Sequence, residues 1–264
     1  MAVKTQALSE LERVLTLTSP PMRGPAVREL QLMLRHNPFG TFDPGRDDGV
    51  FDEQTAAATR RAWYWLGCPD GRISAEADAQ LHALLASDQE LPPAWKATRT
   101  RRLRRAQETM LWDAALSIAR EQLGRREEAP GSKRTPYTLW YGVLCPFSVV
   151  FASFCYAQAG SGAFQPRNRY AYAPYLLDDA RRGLNFLSLT SDPLRGDLAV
   201  LDTDGDGNPD RVAIFDGFER EHDRSVFDAV EGDVGLEGQV DGDGAVARTK
   251  RDVAQVTGFV HVRA

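Results

Sequence analysis

The residues that carry chemistry here fall in three places. One is the run Asp202-Thr-Asp-Gly-Asp-Gly-Asn-Pro-Asp210, where carboxylates alternate around a central glycine. Hard cations take oxygen ligands at such spacing, so Asp202, Asp204, Asp206 and Asp210 form a candidate calcium site, with a plain polar turn as the alternative. The closing bidentate glutamate of a full calcium loop is missing. The second place is Ser148, a hydroxyl at the start of the apolar stretch Ser148–Ala159. A helix N-terminus favours negative charge there, but a serine still needs a base to become nucleophilic. The third is the cysteine and histidine inventory. Cys68, Cys145 and Cys155 are too few and too odd for a disulfide framework, and none pairs with His36, His82, His222 or His261 at zinc-ligand spacing.

Elements must position these groups. The chain has 264 residues, 42% hydrophobic, enough for two domains with real cores. Residues 1–20 read as an amphipathic helical start broken at Pro20-Pro21. Val27, Leu30 and Leu34 mark one face of a helix, Thr55–Leu66 a second and Ala75–Leu85 a third. Leu91-Pro92-Pro93 opens a basic helical linker. Its arginines from Arg99 to Arg105 are expected to form a solvated face, with an anionic polymer or a partner contact as alternatives. A helix over Ala114–Leu123 and the Ser148 helix follow. Strands are expected only after residue 185, at Asp197–Leu201, Arg211–Phe218, Ser225–Val230 and Gly258–Val262. Helices first and antiparallel strands afterwards define an α+β domain. The expected boundaries are 1–88, 89–113 and 114–264.

A net charge of -5 and a pI near 5.5 argue against a nucleic-acid partner. Mean hydropathy is -0.39, and no apolar run reaches membrane-span length. The N-terminus has no apolar signal region, so synthesis in the cytoplasm is expected.

Two segments resemble known families. MRGPAVRELQLML, DDGVFDEQTAAATRRAWYWLG and DGRISAEADAQL resemble the three-helix peptidoglycan-binding domain of wall hydrolases, matching at Gly24, Val27, Leu30, Gln31, Leu34, Asp48, Gly49, Phe51, Thr55 and Leu66-Gly67. Thr55 is expected near a helix start, where its hydroxyl can cap. GSKRTPYTLWYGVLCPFSVVFASFCYAQAG resembles the CHAP family, cysteine- and histidine-dependent amidohydrolases and peptidases that cut peptidoglycan, and is most similar to endolysins of actinobacteria and their phages. That resemblance implies a papain-like domain with helices packed on an antiparallel sheet, a peptidoglycan ligand and no cofactor beyond the candidate calcium.

In the family frame Ser148 stands where the nucleophilic cysteine belongs. Cys145 falls three residues early and Cys155 seven late. RGDLAVLDTDGDGNPDRVAIF matches the family's strand, with Arg211 at the histidine. AVEGDV places Glu231 and Asp233 at the positions that orient the base. With arginine there, Glu231 is expected to pair with Arg211. Trp140, Tyr141 and Phe147 are expected to contact substrate. A guanidinium cannot accept the Ser148 proton. The leading expectation is thus a catalytically degenerate homologue that keeps wall binding or a structural or regulatory role. A wall hydrolase with serine-based chemistry and a virion-associated structural protein are the alternatives, and the resemblance implies action at the cell wall after lysis or export, or on a phage particle.

Overall fold

The structure is a computed structural model and describes residues 14–86, 89–167, 170–220, 222–238 and 244–263. The chain divides into two compact units, 1–105 and 106–264.

The first unit carries three short helices, α1 (Pro25–Arg35), α2 (Glu53–Leu66) and α3 (Ala79–Leu85). Proline in the first turn of α1 costs no hydrogen bond, because the first amides of a helix have no acceptor. The apolar face of α1 buries Val27, Leu30 and Leu34 against Phe51, Trp63, Leu66 and Leu81. Gln31 lies on the same face and is fully satisfied. Its amide donates to the Val50 carbonyl (3.0 Å) and Thr55 Oγ1 (3.1 Å), and its oxygen accepts from the Gly49 amide (2.9 Å). Asp52, not Thr55, caps α2, accepting from the Thr55 amide at 2.8 Å. The N-terminal part of the expected first helix, residues 1–13, lies outside the described residues. The remainder is not helical: Leu15 bridges Ala77.

The boundary between the units falls inside α4 (Pro93–Glu121), one uninterrupted helix covering the segment read as a linker and the helix after it. Within the first unit its arginines are not simply solvated. Arg102 lies over the Tyr64 ring at 4.0 Å and also bonds Asp70, and Arg99 lies over Phe39 at 5.5 Å.

The second unit adds α5 (Pro136–Tyr141), α6 (Ser148–Gln158) and α7 (Ala173–Arg181). Its six strands are β1 (Leu187–Thr190), β2 (Leu198–Leu201), β3 (Arg211–Arg220), β4 (Asp223–Val234), β5 (Ala245–Asp252) and β6 (Val256–Val262), in the order β1-β6-β2-β3-β4-β5. Every pairing is antiparallel. The fold class is therefore α+β. Side chains alternate across the sheet. Val200, Val212, Ile214, Val230 and Val260 face the core that holds α6. Ala199, Leu201, Ala213, Phe215, Phe227, Ala229 and Phe259 form a smaller cluster on the opposite face. Helix α6 is apolar around most of its surface because it is buried, with Val150, Phe151, Ala152, Cys155 and Tyr156 all at 0% exposure.

Candidate functional site

Helix α6 begins two residues after Pro146, which favours extended backbone before it. Its N-cap residue, Phe147, offers no capping oxygen. The cap comes from β4 instead: Asp233 Oδ2 accepts from the Phe147 amide at 3.1 Å. A bulge makes this possible. The β4–β5 register shifts between Glu231 and Val234, and Asp233 takes the left-handed conformation with φ 62°. Gly232 sits beneath it, where an added Cβ would stand 2.7 Å from that of Phe151. Only a residue without a side chain lets β4 approach α6 this closely.

Asp233 is the hub of the site. Its Oδ1 accepts from Lys133 Nζ at 2.7 Å, and its carbonyl accepts from Arg211 Nη1 at 2.8 Å. Lys133 arrives from the loop before α5 with φ 52°. Arg211 is the first residue of β3.

Ser148, Arg211 and Asp233 line one cavity of about 480 Å³ together with Thr203, Asp204 and Asp210. A cavity of about 450 Å³ adjoins it, sharing Ser148, Asp204 and Asp210 and reaching Cys145, Tyr172 and Asp206. Ser148 is 3% exposed, and its hydroxyl takes no hydrogen-bond partner among the described residues. A serine nucleophile requires a base within hydrogen-bond reach. Cys145 does not supply an activated thiol: burial first, then the Asp233 charge, push its pKa up, away from thiolate. Cys155 is buried and its thiol is raised further, again by desolvation.

The structure corrects three sequence expectations. Glu231 does not pair with Arg211. It shares a sheet face with Ala229 and Phe227, away from α6, and binds Arg251 (Nε–Oε1 2.6 Å, Nη2–Oε2 3.0 Å) and the Thr249 hydroxyl (2.5 Å). The expected aromatic contacts also fail. Phe147 is 0% and Tyr141 5% exposed, both in the core, and Trp140 packs on Phe154 at 5.6 Å; none of the three lines either cavity. The aromatic ring at the site is Tyr172, half exposed on the residue before α7. Finally, Asp210 leaves the carboxylate set. Its oxygens accept from the Thr203 amide (3.1 Å) and hydroxyl (2.6 Å).

The other three acids stay together, with one oxygen each from Asp202, Asp204 and Asp206 within 4.8 Å of one another. They are also bound by the turn's own backbone: Asp202 accepts from the Gly205 and Gly207 amides, Asp204 from Asp206, and Asp206 from Asn208. These contacts suffice to hold a polar turn.

Among the described residues no histidine lines either cavity. His222 lies in the turn between β3 and β4. His261, on β6, stacks on Trp112 (centroids 5.1 Å) with Nδ1 2.6 Å from Asp197 Oδ1. Lys133 and Thr203 complete the site but carried no signal in the sequence, because a loop lysine and a turn threonine are ordinary surface residues. Among the described residues no helix is long and apolar enough to cross a membrane.

No family model matches the chain, and no curated protein matches it. Among solved structures, the crystal structure of Ly7917 is 15% identical with a TM-score of 0.35, over 58% of this chain and 62% of that one. The crystal structure of Ly7917 with the hydrolyzing product of MDP is 17% identical with the same TM-score, over 58% and 63%. The chain thus spans less than two thirds of either. A likeness this low assigns neither fold family nor activity.

Proposed function

We propose that this chain is a catalytically silent relative of the CHAP peptidoglycan amidohydrolases, one that holds cell-wall material instead of cutting it. The observation that carries this reading is the pairing of Ser148 with Arg211 in one cavity. The hydroxyl has no hydrogen-bonded base, and the guanidinium beside it in the cavity offers donors but no acceptor. The third polar member, Asp233, is committed to Lys133 and to the start of α6. Losing members of a nucleophile–base pair costs about 10⁴–10⁶ in rate, so residual hydrolysis falls below detection in an ordinary lysis assay. The resemblance of the N-terminal helices to a peptidoglycan-binding domain supports wall retention.

The test uses purified actinobacterial walls. The full chain is expected to co-sediment with walls without clearing their turbidity. Ser148→Cys with Arg211→His restores the thiol and the imidazole and is expected to gain clearing. Clearing by the unmodified protein, lost in Ser148→Ala, would overturn the reading in favour of a serine hydrolase.

A further inference from the structure

We infer that the exposed basic ridge of α4 in the first unit, with Arg60 of α2 beside it, is a docking site for a phosphodiester-linked polyanion of the cell wall. This rests on the proposed wall retention and names the wall component that the first unit holds.

From Pro93 to Gln107, α4 carries six cationic side chains, at Lys96, Arg99, Arg101, Arg102, Arg104 and Arg105, and no acid. Two of them fasten the helix to the unit. Arg99 lies over Phe39, and Arg102 lies over Tyr64 and bonds Asp70. Trp95, buried against Trp63, marks the same inner face. At 3.6 residues per turn, Arg101, Arg104 and Arg105 turn away from that face. All three are exposed. Helix α2 adds a fourth cation. An added Cβ on Gly67, at its C-terminal end, would stand 2.1 Å from the Trp95 oxygen, and Tyr64 lies under Arg102. The two helices therefore run antiparallel. One turn before Tyr64, Arg60 is exposed and stands level with Arg105.

The carboxylates bonded to this stretch do not cancel the ridge. Asp70 is held by Arg102 and Glu90 by Lys96. The next acid along the helix, Glu108, comes one turn after Arg104 and offsets at most one charge. Elsewhere exposed cations meet carboxylates: Arg35 meets Asp43 and Asp47, Arg224 meets Asp192, and Lys250 meets Glu219. Arg101 and Arg105, four residues apart, instead repel each other, which weakens a helix. A polyanion laid along the ridge relieves that repulsion. All four cations are arginines, whose planar fork of donors fits phosphate oxygens in pairs. A guanidinium that already makes one bond keeps its charge and further donors. A phosphodiester polymer repeats its charge along its length, as the ridge does.

Co-sedimentation of the full chain tests this on untreated actinobacterial walls and on walls stripped of phosphodiester-linked polymers with hydrofluoric acid. Retention is expected to fall about tenfold or more on stripped walls, and to weaken on untreated walls as salt rises from about 50 to 200 mM. Soluble poly(glycerol phosphate) should compete. Arg101→Gln with Arg104→Gln and Arg105→Gln is expected to lose most of the retention, because glutamine keeps the helix and removes the charge. The same three changed to lysine should keep much of it. Arg181→Gln with Arg182→Gln and Arg224→Gln removes as much charge elsewhere and should leave retention unchanged. Equal retention on stripped walls, no loss in the first triple variant, or tighter binding of duplex DNA than of poly(glycerol phosphate) overturns the docking site and leaves wall retention standing. Failure to sediment with untreated walls instead sinks the reading beneath it, so the two failures are told apart.

Discussion

Glu231 and Arg251 form a buried ion pair on the sheet face turned away from Ser148, with Nε 2.6 Å from Oε1 and exposures of 0% and 7%. Glu231 therefore belongs to the sheet's framework and not to the cleft. Arg251→Met leaves a buried, uncompensated carboxylate and is expected to cost about 3–5 kcal/mol in urea unfolding. Glu231→Leu with Arg251→Met is expected to recover most of that loss. A single substitution that costs under ~1 kcal/mol would show that the pair is not formed in solution.

The contact of β4 with α6 is as sensitive. A methyl at position 232 would stand 2.7 Å from Phe151 Cβ and 3.0 Å from a Phe147 ring carbon. Gly232→Ala is expected to destabilise the chain by about 1–3 kcal/mol, because the backbone or both aromatic rings must move. An unchanged melting temperature would contradict the close approach.

Asp216, on β3, gathers Arg120 (2.6 Å), Arg195 (3.1 Å) and, more distantly, Arg248 (3.8 Å). Burial alone would raise its pKa, but the Arg120 hydrogen bond and the two nearer guanidinium charges outweigh it, and the carboxyl sits below its ordinary 3.8. A carboxylate depressed on folding stabilises the protein above its unfolded value and loses that contribution as pH falls through the folded value. The stability gap between the native protein and Asp216→Asn is therefore expected to be constant near neutrality and to shrink below pH 3.8. Parallel urea titrations across pH 2–7 measure it, and a gap that widens on acidification would reverse the sign.

The thiols should react in a fixed order. Cys68 and Cys155 are buried, while Cys145 is half-buried on the wall of the cleft. Alkylation followed by mass spectrometry is expected to mark Cys145 first. The reaction should be slow at neutral pH and accelerate above it, since burial and the Asp233 charge both oppose thiolate. Asp233→Asn is expected to speed it. Rapid labelling of Cys145 at neutral pH would point to an activated thiol and revive a cysteine-based reading of the site.

The sequence by itself determined the chemical inventory. It showed a helix starting at Ser148, a strand starting at Arg211 and the acidic turn from Asp202, and it showed that neither thiol nor imidazole stands at those two starts. Such features are local: a proline before an apolar run sets a helix start, and glycine with aspartate sets a turn. Tertiary structure alone decided which charges meet. Strand β5 did not read as a strand, because its buried positions include Thr249 and Arg251, whose partner lies across the sheet on β4. Strict alternation places Glu231 away from α6, and one bulge turns Asp233 back onto it. Nothing in Ala-Val-Glu-Gly-Asp-Val announces that bulge, since it follows from how closely β4 must approach Phe147 and Phe151. The same packing buried Phe147 and Tyr141 and left Tyr172 at the cleft. Aromatic residues look alike in sequence, and only the arrangement of neighbouring elements decides which ring fills a core and which faces a ligand.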